Sequence, residues 1–124
     1  MENGKCDKMN FFKQYDIFES DHGPVNIDKL CNVLRISKDD TRRLFRLSRR
    51  ARRYDQQIQS WNLILSMLST HISIVEPDIC SKLIRVKIVR WLKIPNSHFA
   101  QSTPISIMLN GGSKRVVNLL EQIL

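Results

Sequence analysis

The stretch that decides the fold is residues 91–124, WLKIPNSHFAQSTPISIMLNGGSKRVVNLLEQIL. Trp91-Leu92 closes an apolar segment, and Pro95 ends it, because the residue before a proline is pushed out of the helical region. Thr103-Pro104 restarts a helix. The threonine hydroxyl can cap it, and proline fits the first helical position, where an N–H would go unused. Ile105, Met108 and Leu109 then fall on one face. Gly111-Gly112 stops the helix, since glycine enters the left-handed conformation freely. Ser113 stands in the capping position of a last helix, whose apolar stripe is Val116, Leu120 and Ile123, widened by Leu119 and Leu124. Two short helices separated by this punctuation are expected.

Working upstream, Glu76-Pro77 is a break and Asp78 a cap for a segment from Ile79 to Leu92. Ile84, Ile88, Trp91 and Leu92 share one face there, and Lys82, Arg85, Arg90 and Lys93 gather on another. Residues 84–88, IRVKI, alternate and are β-branched, which also suits a strand. No partner strand is evident elsewhere, so a helix is expected. Before it, Ile58, Trp61, Leu65, Leu68, Ile72 and Val75 repeat at alternating spacings of three and four, an apolar stripe along a long helix from Asp55 to Val75. Beside it runs a small, uncharged polar stripe of Gln59, Asn62, Ser66, Ser69 and Ser73. The preferred reading is the central core helix of the domain. The other is a surface that admits a second helix closely, as in a homodimer.

Asn26 can cap a helix running to about Arg35, with Ile27, Leu30, Cys31 and Leu34 at i, i+3, i+4, i+7. Ser37 caps the next, and Asp39 and Asp40 lie in its first turn, where the helix dipole favours negative charge. That helix is expected to reach Tyr54, with Leu44, Leu47, Ala51 and Tyr54 toward the core. Its other side carries seven arginines in twelve residues, from Arg42 to Arg53. A short helix, a tight break and a basic second helix together resemble a helix-turn-helix. Arginine neutralises phosphates and bonds guanine edges bidentately. The candidate DNA-binding residues are Arg42, Arg43, Arg46, Arg49, Arg50 and Arg53. A solvated basic face, or a patch that meets an acidic protein, is the plainer alternative.

The first 24 residues are acidic and aromatic. Phe11, Phe12, Tyr15 and Phe18 are spaced for a short helix docked on the body, or equally belong to a loose tail, and Asp21-His22-Gly23-Pro24 is a turn signal. Charge is uneven: residues 1–28 carry net −3, residues 29–75 net +7 and residues 76–124 net +4, for a total of +8. A basic body implies an anionic partner. Cys6, Cys31 and Cys80 form no CxxC; Cys31 and Cys80 sit among apolar residues and read as buried small hydrophobes in a reducing cytoplasm. No apolar leader or membrane span is read, and His71 has no metal-ligand neighbours in sequence. No catalytic, cofactor or metal motif is found, so a binding protein is expected rather than an enzyme. Sparse glycine and proline, at four each, favour an all-α fold, a compact bundle of about five to six helices. The organisation reads as an N-terminal segment over 1–24, a helix-turn-helix-like region over 25–75 and a C-terminal helical region over 76–124.

Trp91-Leu92, Pro95-Asn96, Phe99, Thr103-Pro104-Ile105, Leu109, Gly112, Arg115-Val116 and Leu119-Leu120, in this order and spacing, resemble the C-terminal toxin-binding domain of the Xre/MbcA/ParS antitoxins. The resemblance implies a C-terminal region that binds and inhibits a toxin, commonly an NAD-consuming enzyme of the RES class. It also implies an N-terminal region that binds operator DNA and represses the operon. By this resemblance Trp91, Pro95 and Asn96 shape the domain, and Thr103, Pro104, Gly112, Arg115 and Leu119 set the terminal helices. The enzyme-binding residues it implies are Trp91, Asn96, Ser113, Lys114, Arg115, Asn118, Glu121 and Leu124. The chain departs from the pattern in places, and the resemblance does not explain its acidic, aromatic first 24 residues. Ala100-Gln101-Ser102 stands where family members often have a glycine pair, and the turn at Ile36-Ser37 lacks the glycine often seen there. The alternatives are an inhibitor or adaptor of an unrelated enzyme on the same scaffold, without DNA binding, and a plain helix-turn-helix regulator.

Overall fold

The computed structural model describes residues 11–17, 26–50 and 54–124; the side chains of 45, 47–50 and 54–58 are outside that description. Among the described residues the chain is helical throughout. Its elements are α1 (Phe11–Gln14), α2 (Ile27–Leu34), α3 (Lys38–Arg50), α4 (Tyr54–Val75), α5 (Ser81–Leu92), a 3-10 turn (Ser97–Phe99), α6 (Pro104–Leu109) and α7 (Ser113–Ile123). The all-α expectation holds, with seven helices where five to six were read, because a four-residue α1 adds to the count. Residues 84–88 are helical, and the one β-bridge among the described residues joins Asn96 to Ser102.

The long helix α4 is the element the others meet: α7, α3, α5 and α1 all pack on it. Trp61, Ile64 and Leu65 are fully buried and Leu68 nearly so. The expected stripe runs out at the C-terminal end, where Ile72 is half-buried and Val75 is 63% exposed. Ile58 lies outside the described side chains. Ile74 is 72% exposed as well, so the apolar spacing continues past the part of α4 that the core covers among the described residues.

The polar stripe beside it has an occupant. Phe11 and Phe12 of α1 are buried against the core. The first N–H groups of a helix have no partner within it, and here α4 supplies acceptors. Phe11 N–H donates to Ser66 Oγ at 2.8 Å and Phe12 N–H to Asn62 Oδ1 at 3.1 Å. The Tyr15 hydroxyl donates to the Ser81 carbonyl at 2.6 Å at the start of α5. The Phe11 and Tyr15 rings lie 4.5 Å apart, and Ile17 is fully buried. The docked reading of the aromatic segment therefore holds for residues 11–17, and Phe18 falls outside the described residues. Burying each phenylalanine contributes about 1.5–3 kcal/mol.

Caps follow the sequence in part. Asn26 accepts from Lys29 N–H at 3.0 Å, Ser37 from Asp40 N–H at 3.2 Å and Thr103 from Ser106 N–H at 3.2 Å, and Pro104 occupies the first turn of α6. Two expected caps are corrected. Asp78 lies in an exposed turn closed by Ile79 N–H on the Glu76 carbonyl, so α5 starts only at Ser81, with the Cys80 carbonyl accepting from Ile84 N–H. Ser113 is the first residue of α7 and is buried, 1% exposed; Gly112 is the N-cap and makes no side-chain bond. Cys80 is exposed, not buried, because a helix start at the surface holds it. Cys31 is buried as read, and Cys6 lies outside the described residues.

Helix α3 is described from Lys38 to Arg50 and α4 from Tyr54; the expected reach of α3 toward Tyr54 falls on residues 51–53, outside the description. Leu44 is fully buried, and Leu47, Ala51 and Tyr54 are outside the described side chains. Between α2 and α3, Arg35 caps α2 at φ 53° and ψ 49°, the left-handed region that glycine prefers.

The two glycines of the α6–α7 link act differently. Gly111 is left-handed, at φ 85°. Gly112 is not, but a Cβ there would lie 2.6 Å from Ile107 Cγ2 and 3.0 Å from the Ile107 carbonyl oxygen. Gly112→Ala is therefore expected to cost about 1–3 kcal/mol through overpacking, measured as a lower urea midpoint. In the opposite direction, Gln101 sits at φ 68°. Gln101→Gly should raise stability by about 0.5–1 kcal/mol, the left-handed penalty relieved less the extra entropy of glycine in the unfolded chain.

Candidate functional site

Helix α7 turns one face inward and one outward. Val116, Val117, Leu119 and Leu120 are buried, whereas Lys114, Arg115, Asn118 and Glu121 are exposed along the other side. Of the eight residues assigned to enzyme binding, these four share one surface. The Arg115 guanidinium lies 5.8 Å from the centroid of the Phe99 ring, a cation–π contact over the 3-10 turn.

The other four lie elsewhere. The Ser113 side chain is interior. Trp91 is half-buried and packs against the core. Asn96 holds its own turn together: its Oδ1 accepts from His98 N–H at 2.9 Å and lies 3.0 Å from His98 Nδ1, and its carbonyl accepts from Gln101 N–H at 3.0 Å. Leu124 stands just past the far end of α7, 47% exposed, where it lines a groove with α4.

That groove is a surface the periodicity reading passed over. Its volume is about 270 Å³, and Leu63, Met67, Thr70, His71 and Ile74 of α4 line it with Leu124. Leu63 and Ile74 are 47% and 72% exposed. Residues 63, 67, 70 and 74 themselves follow a 4-3-4 spacing, and this second stripe was the available signal.

The basic helix offers Arg42, Arg43 and Arg46 to solvent. Arg43 has Asp40 at 4.0 Å, whereas Arg42 and Arg46 have no acid within ion-pair distance among the described residues. Arg49 and Arg50 lie outside the described side chains, and Arg53 outside the described residues. A cleft of about 370 Å³ between α2 and α3 includes Asn32, Lys38, Thr41 and Arg42 in its wall, with Cys31 below. Burial pushes the Cys31 thiol up from its ordinary value of 9.0; a Thr41 hydrogen bond lowers it, and Asp28 and Asp40 raise it. Burial likewise raises the Tyr15 phenol, partly offset by Arg85.

Among the described residues no three His, Cys, Asp or Glu side chains are grouped to hold a metal ion, and no helix is long and apolar enough to cross a membrane. The described surfaces are of three kinds: one mixed-charge helix face, one apolar groove and one cationic helix. Comparison with protein-family models, with curated proteins and with solved structures finds no match to this chain.

Both raised groups keep their protons more tightly in the folded chain than in the unfolded one. Their contribution is complete well below the ordinary values of 9.0 for the thiol and 10.0 for the phenol, and is lost as pH rises through the folded ones. The urea midpoint is expected to hold level to about pH 8 and to fall in the alkaline range. At neutral pH a thiol reagent should label Cys80 in the native protein and Cys31 only on unfolding, read by mass spectrometry of digests.

Proposed function

We propose that this chain is an antitoxin-like protein that binds and restrains a partner enzyme through the exposed face of α7, with Lys114, Arg115, Asn118 and Glu121 as its contacts. One observation carries the reading. Ala100 and Gln101, which stand where the resembling antitoxins often have a glycine pair, adopt φ of 53° and 68°. The backbone here takes the conformation that glycine favours, without glycine. The capping of Thr103-Pro104 and the crowding at Gly112 support the same likeness. A RES-class, NAD-consuming toxin is the partner class that the likeness implies. Arg115, steadied over Phe99 and free of any ion pair among the described residues, suits an acidic or phosphate-binding pocket.

A second reading, nucleic-acid binding through α3, is favoured by the exposure of Arg42, Arg43 and Arg46, of which, among the described residues, only Arg43 pairs with an acid. It is compatible with the first, since α3 and the outer face of α7 present different side chains to solvent.

The test is affinity capture of the tagged chain from its native host, repeated with Lys114→Ala/Arg115→Ala/Asn118→Ala/Glu121→Ala. The expected result is a stoichiometric enzyme whose activity the wild-type chain suppresses and the quadruple variant does not, with an unchanged urea midpoint. Equal inhibition by the two proteins overturns the assignment of the surface. Absence of any inhibited enzyme, with a discrete DNA fragment recovered instead, favours the regulator reading.

A further inference from the structure

We infer that the phosphate-gripping surface of this protein extends beyond the arginine helix to the end of α5, where Arg90 and Lys93 join Arg35 and Lys38 on the backbone of duplex nucleic acid. The inference rests on the nucleic-acid reading of α3 and adds to it a second element, 50 residues further along the chain.

The geometry begins with one contact. The Lys93 ammonium donates to the Arg35 carbonyl at 2.5 Å, between residues 58 positions apart. It pins the C-terminal end of α5 to the turn between α2 and α3; α2 packs both on α5 and on α3. Lys38 is the first residue of α3, and three residues of chain span at most about 11 Å, so it lies close by. Arg90 lies in the last turn of α5, and its carbonyl accepts from the N–H of Lys93, the residue that caps the helix, at 3.2 Å, so the two are close neighbours. Arg35, Lys38, Arg90 and Lys93 are all exposed. Among the described residues none of the four forms an ion pair; the pairs present are Lys29–Asp16, Arg43–Asp40 and Lys87–Glu76. Lys38 lines a cleft together with Arg42 and Asp28, which puts the cation at the start of α3 beside the arginines of that helix.

The acids nearby are Asp28, in the same cleft, and Asp39 and Asp40 in the first turn of α3. They lie on the helices, not at the Lys93–Arg35 contact. The arrangement suits a duplex better than an acidic peptide. When a second helix of this kind enters a groove by its N-terminal residues, the turn before it and whatever flanks that turn face the phosphates. Here that flank is the end of α5. Contacts of this sort set affinity and its salt dependence and carry no base information.

The experiment is a fluorescence-anisotropy titration of the full chain against a random-sequence DNA duplex over a range of KCl concentrations. The variants are Arg90→Gln/Lys93→Gln, Arg35→Asn, in which asparagine tolerates the left-handed backbone, Lys93→Arg as a charge-keeping control, and Arg42→Gln/Arg46→Gln. The slope of log K against log salt should become shallower by about 0.9 for each charge removed, and affinity should fall to the same extent for every duplex sequence. Lys93→Arg should keep the wild-type slope. An unchanged slope for the α5 double variant, alongside a reduced slope for Arg42→Gln/Arg46→Gln, overturns the inference and leaves the α3 reading in place. No binding by the wild-type chain overturns both. Competition by poly-glutamate at equal charge concentration, as effective as duplex, overturns the assignment to nucleic acid. Should the double variant unfold, Arg90→Gln alone, whose side chain holds no hydrogen bond or ion pair among the described residues, is expected to make the slope shallower by about 0.9.

Discussion

Everything else in this fold depends on the burial of one side of α4. Trp61, Ile64, Leu65 and Leu68 form the floor on which α7, α3, α5 and α1 rest. A helix that touches four others cannot carry charge on the faces they cover, since burying an unpaired charge costs several kcal/mol even after relaxation. From Gln56 to Val75 the sequence has none. Small polar groups are tolerable there if they find partners. Ser66 and Ser69 are buried, and Ser66 and Asn62 accept from the N–H groups of Phe11 and Phe12 of α1. The N-terminal aromatic segment is thus part of the core, held by two phenylalanines and two backbone hydrogen bonds.

Packing on one helix separates the surfaces by kind. The outward face of α7 mixes both signs of charge, α3 and the end of α5 are cationic, and the outer side of α4 with Leu124 is apolar. Such segregation lets a single small domain meet chemically different partners without competition for the same side chains. The link before α7 is rigid for identifiable reasons: Asn96 closes the 3-10 turn, Thr103 caps α6, and Gly112 admits no side chain beside Ile107. Rigid support of this sort reduces the ordering cost of binding at the helix it presents.

The candidate site was only partly legible beforehand. Lys114, Arg115, Asn118 and Glu121 could be placed together because helical periodicity alone puts them opposite Val116 and Leu120. Ser113 could not, since a serine before an apolar run reads as a cap, and only the close approach of Gly112 to Ile107 moves the cap one residue earlier and turns the serine inward. Asn96 read as a contact; its side chain is committed to His98. The groove at Leu63, Met67 and Ile74 was hidden because a stronger stripe on the same helix drew the periodicity, and spacing does not say which stripe is covered.

By itself the sequence determined the helical class, the positions of most helix boundaries and caps, and the inward residues of α2; in α7 it placed Val116, Leu119 and Leu120 correctly, whereas Ile123 and Leu124, read on the same stripe, are 48% and 47% exposed. These are local matters, decided by proline and glycine geometry, capping hydroxyls and a 3.6-residue period. Only the tertiary structure decided what lies against what: that α1 fills the polar stripe of α4, that Ile74 and Val75 of α4 stay exposed, that Cys80 is exposed while Cys31 is not, and that Lys93 reaches Arg35 across 58 residues. These depend on contacts between distant segments, whose closure is set by the shape and the unmet hydrogen bonds of the whole chain, and no local pattern encodes them.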